Sequence, residues 1–168
     1  GIALGANTVN TTGAGGQNTI TISGDNITAG AIGGATARAI TLTMSNDSTT
    51  SNLDGLVRST SSITLADGTF DGTGQNLQTE AVIISGDTAV AATNIIAESV
   101  TNTSTAAVTV SSLAEATAGE GVIVSGGSAT GAMNVTVGGA AGATTGTATV
   151  VTGSGADTVV LDEADEML

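Results

Sequence analysis

Short runs of β-branched and aliphatic residues, bounded by Gly, Asn, Asp and Ser, recur along the whole chain. Several runs, such as residues 19–22 and 39–43, alternate Thr with Ile or Leu, which places hydroxyl groups on one face of a strand and aliphatic groups on the other. Other runs, at residues 81–84 and 121–124, are apolar throughout and favour strands that are buried on both faces. The pattern therefore predicts an all-β chain of many short strands.

The spacing of the runs indicates how the strands are arranged. The centres of the first four runs, at Ile20, Ile40, Ile63 and Val82, lie about twenty residues apart, which is the period expected for the coils of a β-solenoid. After Val108 the spacing falls to about ten to fifteen residues, which is more typical of hairpins or of a β-sandwich. Both a β-solenoid and a β-sandwich remain open from the sequence.

Signals for helices are few. The pattern from Ser112 to Glu115 matches a capping box before an alanine-rich stretch, and Gly119 would end such a helix after two turns. Residues 94–100 are compatible with one further helical turn. Neither stretch carries a long amphipathic stripe, so we expect little helix.

Composition divides the chain into three parts. Residues 1–16 are rich in Gly and predict a flexible segment that is available as a donor strand. Residues 17–161 form the β-rich structural domain. Residues 162–168 are predicted to be an acidic tail that is solvated or leads into a following module. Because the chain begins with Gly1, we expect a processed mature chain or an excised segment.

The residue types that are missing exclude most catalytic chemistry. The chain has no His, Cys, Pro, Trp or Tyr, and its two basic residues are Arg38 and Arg58. It therefore lacks an imidazole for proton transfer, a thiol nucleophile and an amine for Schiff-base chemistry. Zinc and copper sites normally need His or Cys. We predict that the protein is not an enzyme.

The charge of the chain limits its partners. Fifteen carboxylates against two basic side chains give a net charge of −13. This charge argues against nucleic acid, whose phosphates are neutralised by Lys and Arg, and against anionic membrane surfaces. No run of apolar residues is long enough for a transmembrane segment. Hard cations that prefer oxygen ligands, above all Ca²⁺, are the counter-ions that remain.

Residues 152–160 contain the first candidate calcium site. Gly153, Gly155, Asp157 and Val159 match the nonapeptide G-G-x-G-x-D-x-U-x, while Thr152 occupies the position of the first glycine. The stretch resembles the repeat of the secreted bacterial calcium-binding proteins called RTX proteins, in which the glycines allow a tight turn and the aspartate supplies a carboxylate ligand. Asp157 is therefore a predicted calcium ligand, with an ordinary Gly-rich turn as the alternative.

A second candidate calcium site lies at residues 67–73. Asp67, Thr69 and Asp71 have the spacing of the first half of an EF-hand loop, although the flanks are strand-like rather than helical and Gln78 stands where the loop has Glu. We predict a calcium-binding turn between strands. The alternative is an Asp-Gly hairpin turn.

The nonapeptide and the strand-like strings at residues 18–28 and 39–43 resemble bacterial S-layer proteins and large secreted adhesins of the RTX-associated and haemagglutinin-repeat kinds. The resemblance covers the texture of the whole chain, and only the nonapeptide is specific. It implies export, calcium-dependent order, and self-assembly at the cell surface or outside the cell.

Three functions follow as hypotheses. The first is a self-assembling subunit of an S-layer or extracellular filament, stabilised by calcium. The second is an adhesin or phage-fibre module that binds a cell-surface glycan. The third is an ice-binding solenoid, because Thr-x-Thr pairs occur at residues 19–21, 41–43, 101–103 and 147–149. These pairs do not recur at one fixed period, and the β propensity of Thr also explains them.

Overall fold

A computed structural model describes residues 18–23, 28–29, 40–45, 50–53, 57–58, 62–141 and 144–162. Before Ser62 it describes the backbone pairing of the strands. The strands are β1 (Asn18–Ser23), β2 (Thr28–Ala29), β3 (Ile40–Ser45), β4 (Thr50–Leu53), β5 (Val57–Arg58), β6 (Ser62–Asp71), β7 (Asn76–Gln78), β8 (Ala81–Ile96), β9 (Ser99–Asn102), β10 (Val108–Ala114), β11 (Val122–Ser125), β12 (Met133–Gly138), β13 (Ala148–Val151) and β14 (Thr158–Asp162). A single 3-10 turn covers Gly139–Ala141.

The strands coil into a parallel β-solenoid. Every pairing between named strands is parallel, and each strand pairs with the equivalent strand one coil further along the chain. We call each coil a rung. The strand pairings define seven rungs, of which rungs three to seven, from Ser62 to Asp162, are described almost completely. The predicted solenoid is confirmed, and the sandwich is wrong because a sandwich is built from antiparallel strands.

The change of spacing in the second half of the chain reflects longer rungs rather than a new architecture. Val82 pairs with Val100, 18 residues on, whereas Ile123 pairs with Thr149, 26 residues on. The added residues lie between the strands, at 115–121, 139–141 and 144–147 among the described residues. Each later rung therefore shows two separate strands on two sides of the coil, and their alternation produces the short spacing.

The core is a set of aliphatic columns that run along the solenoid axis. Ile63, Val82, Val100 and Val124 hold one register position in successive rungs, and all four are buried. On the next side of the coil, Phe70, Val90, Val108 and Met133 form a second buried column. Burial of these side chains supplies the main stabilising free energy, and each rung covers the apolar surface of its neighbour.

The prediction that two apolar runs are buried on both faces is wrong. In the apolar runs at residues 81–84 and 121–124, Ile83 and Ile123 point outwards and are 37% and 56% exposed. A solenoid has one interior, so alternate residues of such a run must face solvent.

The predicted helices are also absent from the described residues. The stretch from Ser112 to Ala114 lies in β10, and residues 94–96 lie in β8. None of the described residues belongs to a helix long and apolar enough to cross a bilayer.

Polar side chains that lie inside the corners are tied to neighbouring rungs. The Asn94 side-chain amide donates to the Asn76 carbonyl oxygen at 3.1 Å, and these residues share a register position. Ser104 Oγ donates to the Thr88 carbonyl at 2.6 Å and accepts from the Ala106 amide at 3.0 Å. These bonds satisfy groups whose burial would otherwise be costly, and they fix the corners of successive rungs.

Candidate functional site

Asp157, the first predicted calcium ligand, lies in the corner that precedes β14. Its Oδ1 accepts a hydrogen bond of 2.9 Å from the backbone amide of Met133, one rung earlier. The side chain is half-buried. The carboxylate therefore joins rungs six and seven, which is a structural role that the sequence motif did not indicate.

The glycines of the same motif lie against the backbone of the preceding rung. A Cβ atom at Gly153 would lie 2.0 Å from the Ala129 carbonyl oxygen, and one at Gly155 would lie 2.4 Å from the Gly131 carbonyl oxygen. The Ser154 amide donates to the Ala129 carbonyl at 3.1 Å. Close stacking of two corners therefore explains the glycine spacing without an ion.

The second predicted site, around Asp67, is a corner followed by a strand. Asp67 adopts a left-handed backbone with φ of 58°, and its Oδ1 accepts from the Asp87 amide at 3.1 Å. Thr69 lies within β6, in register with Ala89. The hairpin alternative is wrong because β6 pairs with β8 in parallel on both sides of the Asp67 corner.

Asp71 uses its carboxylate locally. Its Oδ1 accepts from the Thr73 hydroxyl at 2.7 Å and from the Thr73 amide at 3.1 Å. These two bonds lower the pKa of Asp71, the hydroxyl bond having the larger effect. The arrangement is the Asx-turn that Asp commonly forms at the end of a strand.

The structure does not bring the four predicted ligands together. Asp67, Thr69 and Asp71 belong to rung three, whereas Asp157 belongs to rung seven. Among the residues that the structure describes, no three carboxylates converge on one point. Binding of Ca²⁺ thus stays a prediction from composition and motif.

A carboxylate that the sequence analysis did not propose as a site accepts five hydrogen bonds. Glu115 follows β10 and is largely buried. Its Oε1 accepts from the amides of Gly119 and Thr145, each at 2.9 Å, and from the Thr145 hydroxyl. Its Oε2 accepts from the amides of Gly121 and Gly146, at 2.8 and 3.0 Å. One side chain thus closes its own turn and holds the turn of the next rung.

These hydrogen bonds lower the pKa of Glu115 from 4.5 to about 2. The largest effect comes from the Thr145 hydroxyl and the next from the Gly119 amide, while burial acts in the opposite direction. Because the pKa in the folded state lies below that of the unfolded chain, the ionised carboxylate stabilises the fold. This contribution is complete above pH 4.5 and is lost as the pH falls towards 2.

We expect Glu115→Gln to lower the melting temperature at pH 7 by on the order of 5 °C. An amide accepts hydrogen bonds at one atom only, so its NH₂ group would face two N–H donors. The difference from the wild type should shrink between pH 5 and pH 3, as measured by thermal unfolding followed by circular dichroism. Glu120→Gln, in the same turn but exposed, is the control. A difference that does not change with pH would contradict the role of the ionised carboxylate.

One side of the solenoid presents an outer surface without charge. One strand segment of each rung pairs there with its neighbours without a shift of register. These segments are β1, β3, the first halves of β6 and β8, β9, β11 and β13. The outward residues of rungs three to seven define what we call the uncharged face: Ser62 and Thr64, Ala81 and Ile83, Ser99 and Thr101, Ile123 and Ser125, and Thr149 and Val151.

The Thr-x-Thr pairs contribute to this face unequally. The register places the pairs at residues 19–21 and 41–43 on the same two rows as Ser62 and Thr64. The later pairs contribute only Thr101 and Thr149, because the pairs at 101–103 and 147–149 are displaced by four residues from each other. The rows therefore mix hydroxyl and aliphatic groups.

In the last described rung, which we call the open last rung, residues of the core columns are exposed. Val137 is 1% exposed, but Leu161, at the same position in β14, is 71% exposed; Val135 and Val159 are 2% and 44% exposed. In the part of the chain that the structure describes, β13 and β14 have a partner strand on one side only. Among the described residues, this end therefore combines strands that lack a partner on one side with exposed aliphatic side chains.

Comparisons of the chain with protein-family models, with curated proteins and with solved structures found no match. The two distinctive surfaces of the solenoid are the uncharged face and the open last rung.

Proposed function

We propose that this chain is an extracellular structural protein whose solenoids join end to end into a filament or S-layer. The observation that supports the proposal is the last described rung, where Leu161 and Val159 of the core columns are exposed. Stacked rungs bury such aliphatic columns against a neighbour, and an exposed parallel edge accepts another strand readily. The cell-surface location rests on the resemblance to S-layer proteins and secreted adhesins.

A second copy of the chain fits this end in register and in charge. Ile20 of β1 occupies the register position that Ile63, Val100 and Val150 hold in later rungs. Placing β1 of one copy on β13 of another would continue that column with the same class of residue. Neither strand carries a charged residue, so contact between them avoids the repulsion expected for chains of net charge −13.

Leu161→Asp tests end-to-end joining. We expect the wild type to form unbranched filaments in electron micrographs of concentrated protein, and the variant to remain dispersed, because a carboxylate in the end column would be desolvated without a partner. Ser111→Asp, exposed on β10 in rung five, adds the same charge away from the end and should leave filaments intact. A wild type that stays monomeric at high concentration would overturn the proposal.

Calcium is the counter-ion that we expect to support this state. Fifteen carboxylates against two basic residues leave self-repulsion that a divalent cation relieves on binding. Millimolar CaCl₂ should raise the melting temperature more than NaCl does at the same ionic strength, by at least a few degrees. If replacing calcium with a chelator leaves both the melting temperature and the assembly state unchanged, calcium has no part in stability.

A further inference from the structure

The uncharged face stands out in a chain so acidic. None of its ten outward residues in rungs three to seven is charged, and Ile83, Ile123 and Val151 are substantially exposed. Charged side chains on a sheet surface disfavour its contact with other protein surfaces. Their absence from a whole sheet face favours contact with another uncharged surface. The outer side of the neighbouring sheet, by contrast, carries Asp71.

The large and small side chains of the face are arranged so that two copies of the face fit together. Ile83 stands beside Ala81 in its rung, and Ile123 stands beside Ser125, so that each large side chain has a small neighbour two positions away. When two such faces meet about a two-fold axis parallel to the strands and centred on rung five, Ile83 faces Ser125 of the other copy. Ile123 then faces Ala81. Large side chains thus meet small ones, as packed sheets require.

The size of the face decides when such contact is stable. Five strands about 4.8 Å apart and four to five residues wide give a face of roughly 350 Å². A stable interface buries about 800 Å² on each partner, so two single chains would not stay together through this face. Along a filament the face repeats in every subunit, and many weak contacts act together because the subunits are already linked.

We propose that the uncharged face pairs filaments of this chain side by side, face against face. This inference rests on the proposed end-to-end assembly and adds an order to it: the solenoids first join at their ends, and the resulting filaments then pair laterally. A second copy of the chain occupies the face. Contacts between the aliphatic side chains and hydroxyl groups of the two facing sheets stabilise the pairing.

Thr101→Asp tests the pairing, because Thr101 is exposed in the central rung of the face. We expect wild-type filaments to be paired and those of the variant to be single, with half the mass per unit length in electron micrographs. Thr101→Lys should act in the same way, since either charge would be desolvated in the contact. Ser111→Asp lies outside the face and should keep the filaments paired.

The other possible outcomes contradict different parts of the two proposals. Single wild-type filaments, or paired Thr101→Asp filaments, overturn the lateral pairing and leave end-to-end joining standing. Wild-type protein without any filaments overturns both proposals. Thermal hysteresis in the wild type that Thr101→Asp abolishes would assign the face to ice and would likewise overturn the pairing.

Discussion

Gly131→Ala is expected to destabilise the solenoid by about 3 kcal/mol or more. A Cβ atom at Gly131 would lie 1.9 Å from the Ala106 carbonyl oxygen and 2.4 Å from its carbonyl carbon. Those atoms belong to the backbone of the preceding rung, which cannot move aside as a flexible side chain can. The Gly131 amide also donates to the Ser104 carbonyl, so a shift of this corner would weaken its connection to the rung before it.

Gly127→Ala, close by in the same rung, is the matched control. A Cβ atom there would have no neighbour closer than 3.8 Å, the Cγ1 atom of Val151. Its effect should stay within about 1 kcal/mol, in either direction. Urea unfolding of the two variants measures the difference. Equal stability of Gly131→Ala and Gly127→Ala would show that the corners are not stacked as closely as described.

Ile84→Ala is expected to cost about 2–5 kcal/mol. Ile84 is fully buried and lies in the column between Leu65 and Asn102. The substitution removes apolar contacts and leaves a cavity that rungs three and five cannot fill, because their backbones are held by the ladder on both sides. Asn102 supplies no apolar surface to compensate, since its amide carbonyl accepts from Ser104.

The neighbouring residue provides the control for this substitution. Ile83 has the same side chain in the same strand, but it belongs to the uncharged face and is partly exposed. Ile83→Ala should change the free energy of unfolding by less than about 1 kcal/mol. Similar losses for Ile83→Ala and Ile84→Ala would contradict the assignment of one strand face to the core and the other to the outside.

The class of fold was predictable because, in the first half of the chain, the spacing of the strand-like runs agrees with the length of a rung. From Ile20 to Val82 one short strand per rung lies on the same side of the coil, so the sequence period equals the rung. The hydroxyl and aliphatic alternation also predicts correctly which residues of β6 face inwards. Both signals need only the period of two in a strand and the regular spacing of its turns.

The second half was harder to predict for a physical reason. Lengthened turns change the rung from 18 to about 25 residues, and the spacing of Val110, Val135 and Val159, which share one register position, retains a period. The run of β-branched residues at 121–124 carries no signal that one side is solvent. Periodicity within a strand cannot distinguish a strand buried on both faces from one whose exposed face is apolar.

At the candidate sites, too, the sequence indicates local motifs but not the contacts between rungs. Asp157 and its glycines were found by motif, but their contacts with Met133 and Ala129 depend on which rung lies beneath them. The sequence indicates Glu115 only as part of a capping box, whereas two of its five hydrogen bonds come from Thr145, thirty residues away. Such partners become visible only when the register of the rungs is known.

Paired cysteine substitutions test the parallel register most directly, because the natural chain has no cysteine. Ile123 pairs with Thr149, whereas Val151 lies two residues further along β13 on the same exposed face. Strands about 4.8 Å apart bring the first pair within disulfide range, while the second pair is about 8 Å apart at Cα. Oxidised Ile123→Cys/Thr149→Cys should therefore form an intramolecular disulfide in high yield, and Ile123→Cys/Val151→Cys should not. Equal yields for the two double variants, or no disulfide in the first, would contradict the β-solenoid.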